Sequence, residues 1–131
     1  MERRAINPWQ WQDNFGYAQA IEVAGGQRVL YCAGQTSMNA DGHPQHAGDM
    51  AAQLALALDN LEAVLAAGGY RLADLVRLNY YTTDIGAFFT QFGVVGGRLA
   101  AAGCVPSSTL LGVTSLAFPE LLLEIEGTAV R

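Results

Sequence analysis

Positive charge is scarce in this chain: seven Lys plus Arg stand against twelve Asp plus Glu among 131 residues, a net charge of −5. No basic run tracks a phosphate backbone, which argues against a nucleic-acid partner. Cysteine is rarer still. Cys32 and Cys104 lie far apart with no CxxC and no His-rich spacing, so neither a zinc site nor a disulfide framework is supported, and the cytoplasm is the expected compartment. The opening residues, Met1 to Trp9, contain no apolar core of signal-peptide length. No later run approaches the length needed to span a bilayer, so no membrane partner is expected. Internal repeats, low-complexity tracts and long linkers are also missing.

The chain does have apolar residues in abundance, about half of the total, enough for one compact domain over residues 1–131 without metal or disulfide staples. Residues 1–14 read as an amino-terminal extension packing on that body. Tyr17 to Val23, Gly25-Gly26 and then Arg28 to Ala33 read as two short strands around a glycine turn, a β-hairpin. After a polar loop, Met50, Leu54, Leu58, Leu61 and Leu65 mark one face of a long amphipathic helix ended by Gly68-Gly69. Leu75 to Thr83 reads as a strand, and Asp84 as the N-cap of a second helix carrying Ile85, Phe88, Phe89, Phe92 and Leu99. Gly93, Gly96 and Gly97 weaken that helix. Two final strands follow Pro106, joined around Phe118-Pro119-Glu120.

The expected order is ββαβαββ, an α+β layer in which two helices cover one face of a mixed sheet. Several strands are apolar on both faces, as in Val29-Leu30-Tyr31-Cys32, so the second face needs cover, and copies of the same chain are the simplest cover. In the last strand, Glu124 and Glu126 project to one side while Leu123, Ile125 and Ala129 project to the other. Acids on a protected face must be hydrogen-bonded, paired, protonated or set at a solvent-filled cleft.

Six pieces in the right order carry a family resemblance. They are Gly16-Tyr17-Ala18-Gln19-Ala20, Ala33-Gly34-Gln35, Gln53 to Leu65 with Asn60-Leu61, Tyr81 to Asp84, Pro106 at the penultimate strand, and Glu124-Ile125-Glu126. From about Asn14 to Val130 the chain resembles the reactive intermediate deaminases, the Rid, YjgF or L-PSP endoribonuclease family. The resemblance implies a chorismate-mutase-like fold and a homotrimer packed sheet to sheet, with small-molecule clefts between subunits. It also implies hydrolysis of imines and enamines such as 2-aminoacrylate to a keto acid and ammonia, with no metal and no organic cofactor. In the family an arginine of the penultimate strand clamps the substrate carboxylate, and a glutamate of the last strand positions water. Here Ser108 stands where the arginine would be, Ala33 replaces a serine, and Phe92 falls at the position of an asparagine. Glu124 and Tyr17 are retained. This is the pattern of a branch without the clamp, and it disfavours a small anionic substrate because a single hydroxyl cannot replace a permanent bidentate charge.

Each candidate has two readings. Glu124 is either the catalytic base or a capping acid at a subunit contact; Glu126 is a structural or solvent-facing acid. Ser108 and Tyr17 either bind a ligand or fill space in a strand. Trp9 and Trp11 either wall a cleft or anchor the amino-terminal segment. His43 and His46 are loop residues without a third metal ligand. Arg77 is either a displaced clamp or one half of an ion pair. The functional expectation is a deaminase-like hydrolase of altered specificity; the alternative is a non-catalytic binding or regulatory trimer, with ribonuclease action the weakest reading.

Overall fold

The computed structural model describes residues 1–26 and 28–131. Six strands and three α-helices follow one another along the chain: β1 (Glu2–Ile6), β2 (Ala20–Ala24), β3 (Val29–Tyr31), α1 (Met50–Ala67), β4 (Leu75–Thr82), α2 (Ile85–Gln91), α3 (Gly93–Ala101), β5 (Ser107–Gly112) and β6 (Leu123–Val130). The main sheet has the order β3-β6-β4-β5, parallel between β4 and β5 and antiparallel elsewhere. The architecture is the mixed α+β, chorismate-mutase-like one that the sequence suggests.

The long helix forms where the apolar spacing places it. Asp49, in extended backbone, accepts a hydrogen bond from the Ala52 N–H at 3.0 Å and so satisfies one of the free donors of the first turn. At the other end Gly69 takes φ 82°, and Tyr70 N–H returns to the Leu65 carbonyl at 2.8 Å. Leu54, Leu58, Leu61 and Leu65 are fully buried, each contributing roughly 1.5–3 kcal/mol of burial. They pack on the inner face of the sheet, where Leu78, Tyr80, Leu123, Ile125 and Ala129 belong to the same core. Gly127 makes room for the leucines of the neighbouring strand: a Cβ there would stand 2.8 Å from Leu75 Cδ2 and 3.3 Å from Leu78 Cδ2.

Three expectations need correction. Ala20–Ala24 does not pair with Val29–Tyr31 as a hairpin. Among the described residues it pairs antiparallel with Glu2–Ile6, from Ile6↔Ala20 to Glu2↔Ala24, while β3 pairs with β6. Gln27, within the expected turn, lies outside the described residues. An alternating pattern identifies a strand and its faces but carries no label for its partner, and here the amino-terminal residues supply it. Arg3 helps seat that strand, donating to the carbonyls of Ala73 and Val130 and lying 3.7 Å from the buried Asp74 carboxylate. The second helix is two helices meeting at Phe92, which ends α2 and begins α3. Finally, α1 at 18 residues is long and apolar enough to cross a bilayer, contrary to the sequence expectation. Its stripe of leucines forms the core of the domain, as in a buried helix.

Candidate functional site

On the outer face of the sheet the pleat brings Arg77, Asn79 and Tyr81 of β4 beside Glu124, Glu126 and Thr128 of β6, with Tyr81 opposite Glu124 and Asn79 opposite Glu126. The two acids have different surroundings. Glu126 Oε1 accepts from Asn79 Nδ2 at 3.0 Å and from the Tyr81 hydroxyl. That bond, more than burial, holds the Tyr81 phenol above its usual range. Glu126 is therefore the structural, paired acid. Glu124 has no hydrogen-bond partner among the described residues, and partial burial, reinforced by the Glu126 charge, pushes its carboxyl above the usual carboxylate range. Its carboxyl rests on the backbone of Gly34, where a Cβ would fall 2.6 Å from the carboxyl carbon.

A pocket lies at the opposite side of the sheet edge. β5 is the edge strand, and the segment before β2 joins it through a parallel bridge, Ala18↔Ser107, with Ala18 N–H donating to the Pro106 carbonyl at 2.9 Å. A 3-10 turn over Trp11–Phe15 and helix α2 close round that edge. The cavity between them measures about 370 Å³ and is lined by Trp11, Phe15, Tyr17, Tyr80, Phe88, Phe89, Phe92, Ser108, Thr109 and Leu110. Its floor is an aromatic cluster: the Tyr80 ring meets Phe88 at 5.5 Å and Phe92 at 5.6 Å between centroids, both edge to face. Trp11 meets Tyr17 in the same manner at 6.3 Å on the rim. A smaller recess of about 70 Å³ shares Phe15, Tyr17, Tyr80, Phe92 and Ser108 with it and reaches Cys104. Burial pushes the Cys104 thiol up to about 11, so it stays neutral.

The candidate residues thus divide into two groups. Tyr17, Phe92 and Ser108 meet in the aromatic pocket. Glu124 lies on the outer face, and the exposed Ala33 adjoins Gly34 beside it. Register explains the division: Ser108 is level with Leu78 and Glu124 with Tyr81, positions of opposite pleat parity on β4. Arg77 stands on the Glu124 face, donating to Thr109 Oγ1 at 2.6 Å, and does not line the pocket. Trp11 walls the pocket, whereas Trp9 is exposed and outside it. Among the described residues no group of three His, Cys, Asp or Glu converges as a metal site would require. Sequence reasoning missed Phe15, Tyr80, Phe88, Phe89, Thr109 and Leu110 as pocket residues. Phe89 was legible only as one of several helically spaced phenylalanines, yet it is 54% exposed at the pocket rim.

The sequence profile of the family described as Endoribonuclease L-PSP matches residues 12–131. Protein DfrA of Myxococcus xanthus is 32% identical over 117 residues, covering 88% of this chain and 87% of that protein. The RutC family protein YjgH of Escherichia coli K12 is 35% identical over 89 residues, 68% of this chain and 66% of its own length. Among solved structures, the Rid family protein YyfB of Yersinia pestis, of unknown function, aligns over the whole of both chains with a TM-score of 0.85 at 36% identity. TdcF of Escherichia coli, solved with bound serine, aligns over 88% of this chain and 87% of its own with a TM-score of 0.71 at 26% identity. With the profile match over residues 12–131, the 32% identical relative and the full-length structural superposition in agreement, this chain belongs to the Rid/YjgF, or L-PSP endoribonuclease, family.

Proposed function

We propose that the protein is a cofactor-free hydrolase that removes nitrogen from an imine or enamine, with Glu124 as the base that activates water. The observation that carries this reading is the state of the Glu124 carboxyl, which is partly buried, raised in pKa and without a hydrogen-bond partner among the described residues. An acid poised in this way takes up and returns a proton more readily than one satisfied by neighbours, as Glu126 is. As water oxygen adds to the imine carbon, Glu124 accepts a proton from the water. Glu124 returns that proton to nitrogen to give a carbinolamine; the remaining hydroxyl proton then passes by way of Glu124 to nitrogen as the C–N bond breaks, so that C=O forms and ammonia leaves. No metal or redox partner is needed to balance the step.

In one chain the acid and the aromatic pocket occupy different faces of the sheet, so the complete site needs a second copy. A cytoplasmic homotrimer packed through the outer face would present the Glu124 side of one subunit to the pocket of the next, making three clefts. The half-exposed Val29, Leu111 and highly exposed Tyr31 are apolar surface available for such packing. The second reading is a binding or regulatory trimer without turnover. It is favoured by the pocket itself, whose lining among the described residues contains no carboxylate, imidazole or cation.

The test is ammonia release from freshly generated imines, beginning with 2-aminoacrylate and including a neutral aromatic imine. Wild-type protein and Glu124→Gln are compared, and their masses are followed by light scattering. We expect turnover of at least one imine, a loss of about 10²-fold or more in Glu124→Gln, and an unchanged trimer mass. Equal rates in the two proteins would overturn the role of Glu124, and a monomeric active enzyme would overturn the shared cleft.

A further inference from the structure

The aromatic pocket has an unusual charge inventory. Its lining holds seven aromatic side chains, one aliphatic one and the hydroxyls of Ser108 and Thr109. The chain contains no lysine, and its seven basic residues are all arginines. Six are engaged away from the pocket: Arg3 and Arg71 at Asp74, Arg4 at Glu22, Arg28 over the Tyr70 ring, Arg98 at Asp59 and Glu62, and Arg131 at the Gly69 carbonyl; the seventh, Arg77, stands behind the lining on the outer face, committed to Thr109 Oγ1 at 2.6 Å. None lines the cavity. A carboxylate entering it would lose hydration to aromatic rings, gain no counter-charge, and do so in a protein of net charge −5. The Ser108 hydroxyl, without a hydrogen-bond partner among the described residues, is a free aliphatic hydroxyl in a lining whose other polar atoms are the phenols of Tyr17 and Tyr80, the Trp11 indole N–H and the Thr109 hydroxyl already bonded to Arg77, a lining built for an uncharged body.

We infer that this pocket takes a neutral ligand with a flat, apolar body and one hydrogen-bonding group that meets Ser108, in preference to a small carboxylate. The inference rests on the reading above that the pocket is the recognition half of the site. It concerns recognition alone, whatever chemistry follows. The cavity, at about 370 Å³, falls within the usual range for small-molecule sites, which are mostly apolar with a few placed polar groups. The Tyr80 ring meets Phe88 and Phe92 edge to face, and those two rings pack on each other tilted at 32° with centroids 5.5 Å apart, and so the three offer a floor already formed before a ligand arrives. Trp11, Phe15 and Phe89 are each more than half exposed at the rim, where a planar ligand would cover them.

Benzamide and benzoate share a ring and differ in charge, and Trp11 can report on both. The chain has two tryptophans, so Trp9→Phe leaves Trp11 as the single indole. Titrated into that protein in its native assembly, benzamide should change Trp11 emission saturably and bind at least tenfold more tightly than benzoate. Ser108→Ala should weaken benzamide by about three- to tenfold, the worth of one neutral hydrogen bond. Ser108→Arg should reverse the preference; if that variant fails to fold, the alanine variant still decides the role of the hydroxyl. Equal or tighter binding of benzoate would overturn the inference. So would indifference of Trp11 to both compounds, which would mean that a second copy of the chain fills the pocket. Benzamide binding without imine turnover would count against the hydrolase and leave the ligand class standing; turnover with a preference for benzoate would do the reverse.

Discussion

The backbone of Gly34 lies directly against the Glu124 side chain, so closely that a Cβ at position 34 would overlap a carboxyl oxygen and stand 2.8 Å from Cγ. All three nearest atoms to that imagined carbon belong to Glu124. The backbone angles at Gly34 are not in the left-handed region, so an added methyl meets resistance from this one side chain.

Gly34→Ala should therefore destabilise the protein by about 1–3 kcal/mol, as overpacking of a filled site does. In a Glu124→Ala background the same change should cost less than about 0.5 kcal/mol. A double-mutant cycle by urea denaturation measures this coupling. Additive costs would show that Gly34 is needed for some other reason.

The raised pKa of Glu124 has a sign in stability. Because the folded state holds the proton at a higher pH than the unfolded state does, folded protein binds more protons between the ordinary carboxylate value and the raised one. Stability contributed by this group is greatest at acidic pH, falls as pH climbs through that window, and stays lower above it. Glu124→Gln removes the fall. The stability of the variant relative to wild type should therefore rise through the window and level off at neutral pH, as read from denaturation at a series of pH values. A pH-independent difference would contradict the shift.

The phenol of Tyr81 is held up first by its hydrogen bond to Glu126, with smaller contributions from burial and from the charges of Glu126 and Glu124. Spectrophotometric titration should find Tyr81 ionising at lower pH in Glu126→Gln than in wild type, with Tyr81→Phe identifying the transition. No change would mean that the bond is not formed in solution.

Gln53 is wholly buried on α1 and joins two loops to the start of β6. Its amide donates to the carbonyls of Glu120 at 2.8 Å and His46 at 3.1 Å, and its Oε1 accepts from Leu122 N–H at 2.8 Å. Gln53→Leu leaves the Glu120 carbonyl and the Leu122 N–H unpaired, while the His46 carbonyl keeps the Asp49 N–H at 3.0 Å, and should cost about 2–6 kcal/mol, given about 1–3 kcal/mol for each buried group orphaned. A loss below about 1 kcal/mol in thermal or urea unfolding would show that water replaces the amide. Glu124 begins two residues beyond this anchor, so the variant should also lose any activity that depends on Glu124 placement.

Much of the frame was legible because its signals are local. The leucine spacing of α1, the cap at Asp84, which accepts from Ala87 N–H at 3.0 Å, and the alternation of Leu123, Glu124, Ile125 and Glu126 all depend on residues a few positions apart. Pairing is not local in that sense. Ala20–Ala24 reads as a strand by its pattern, but its partner Glu2–Ile6 opens with three charged residues and lies at the surface, so no alternating apolar face marked it. The pocket was hidden for a related reason: Phe88, Phe89 and Phe92 share helical spacing, and only the break at Phe92 and the edge position of β5 determine which rings face an open cavity. The difference in fate of Glu124 and Glu126 was likewise beyond the alternation pattern, because it depends on Asn79 and Tyr81 across the sheet.

The pleat that sends Ser108 and Glu124 to opposite faces also acts as a partition. Each half of the arrangement has its own neighbours, aromatic rings on one side and Gly34 with the acid pair on the other, and the hydrogen bond from Arg77 to Thr109 is a point where the two halves touch. If assembly unites the halves, a mixed oligomer of two diverged paralogues would combine the selectivity of one gene product with the reactive group of another, and new specificities could arise from co-expression before any single chain had acquired them.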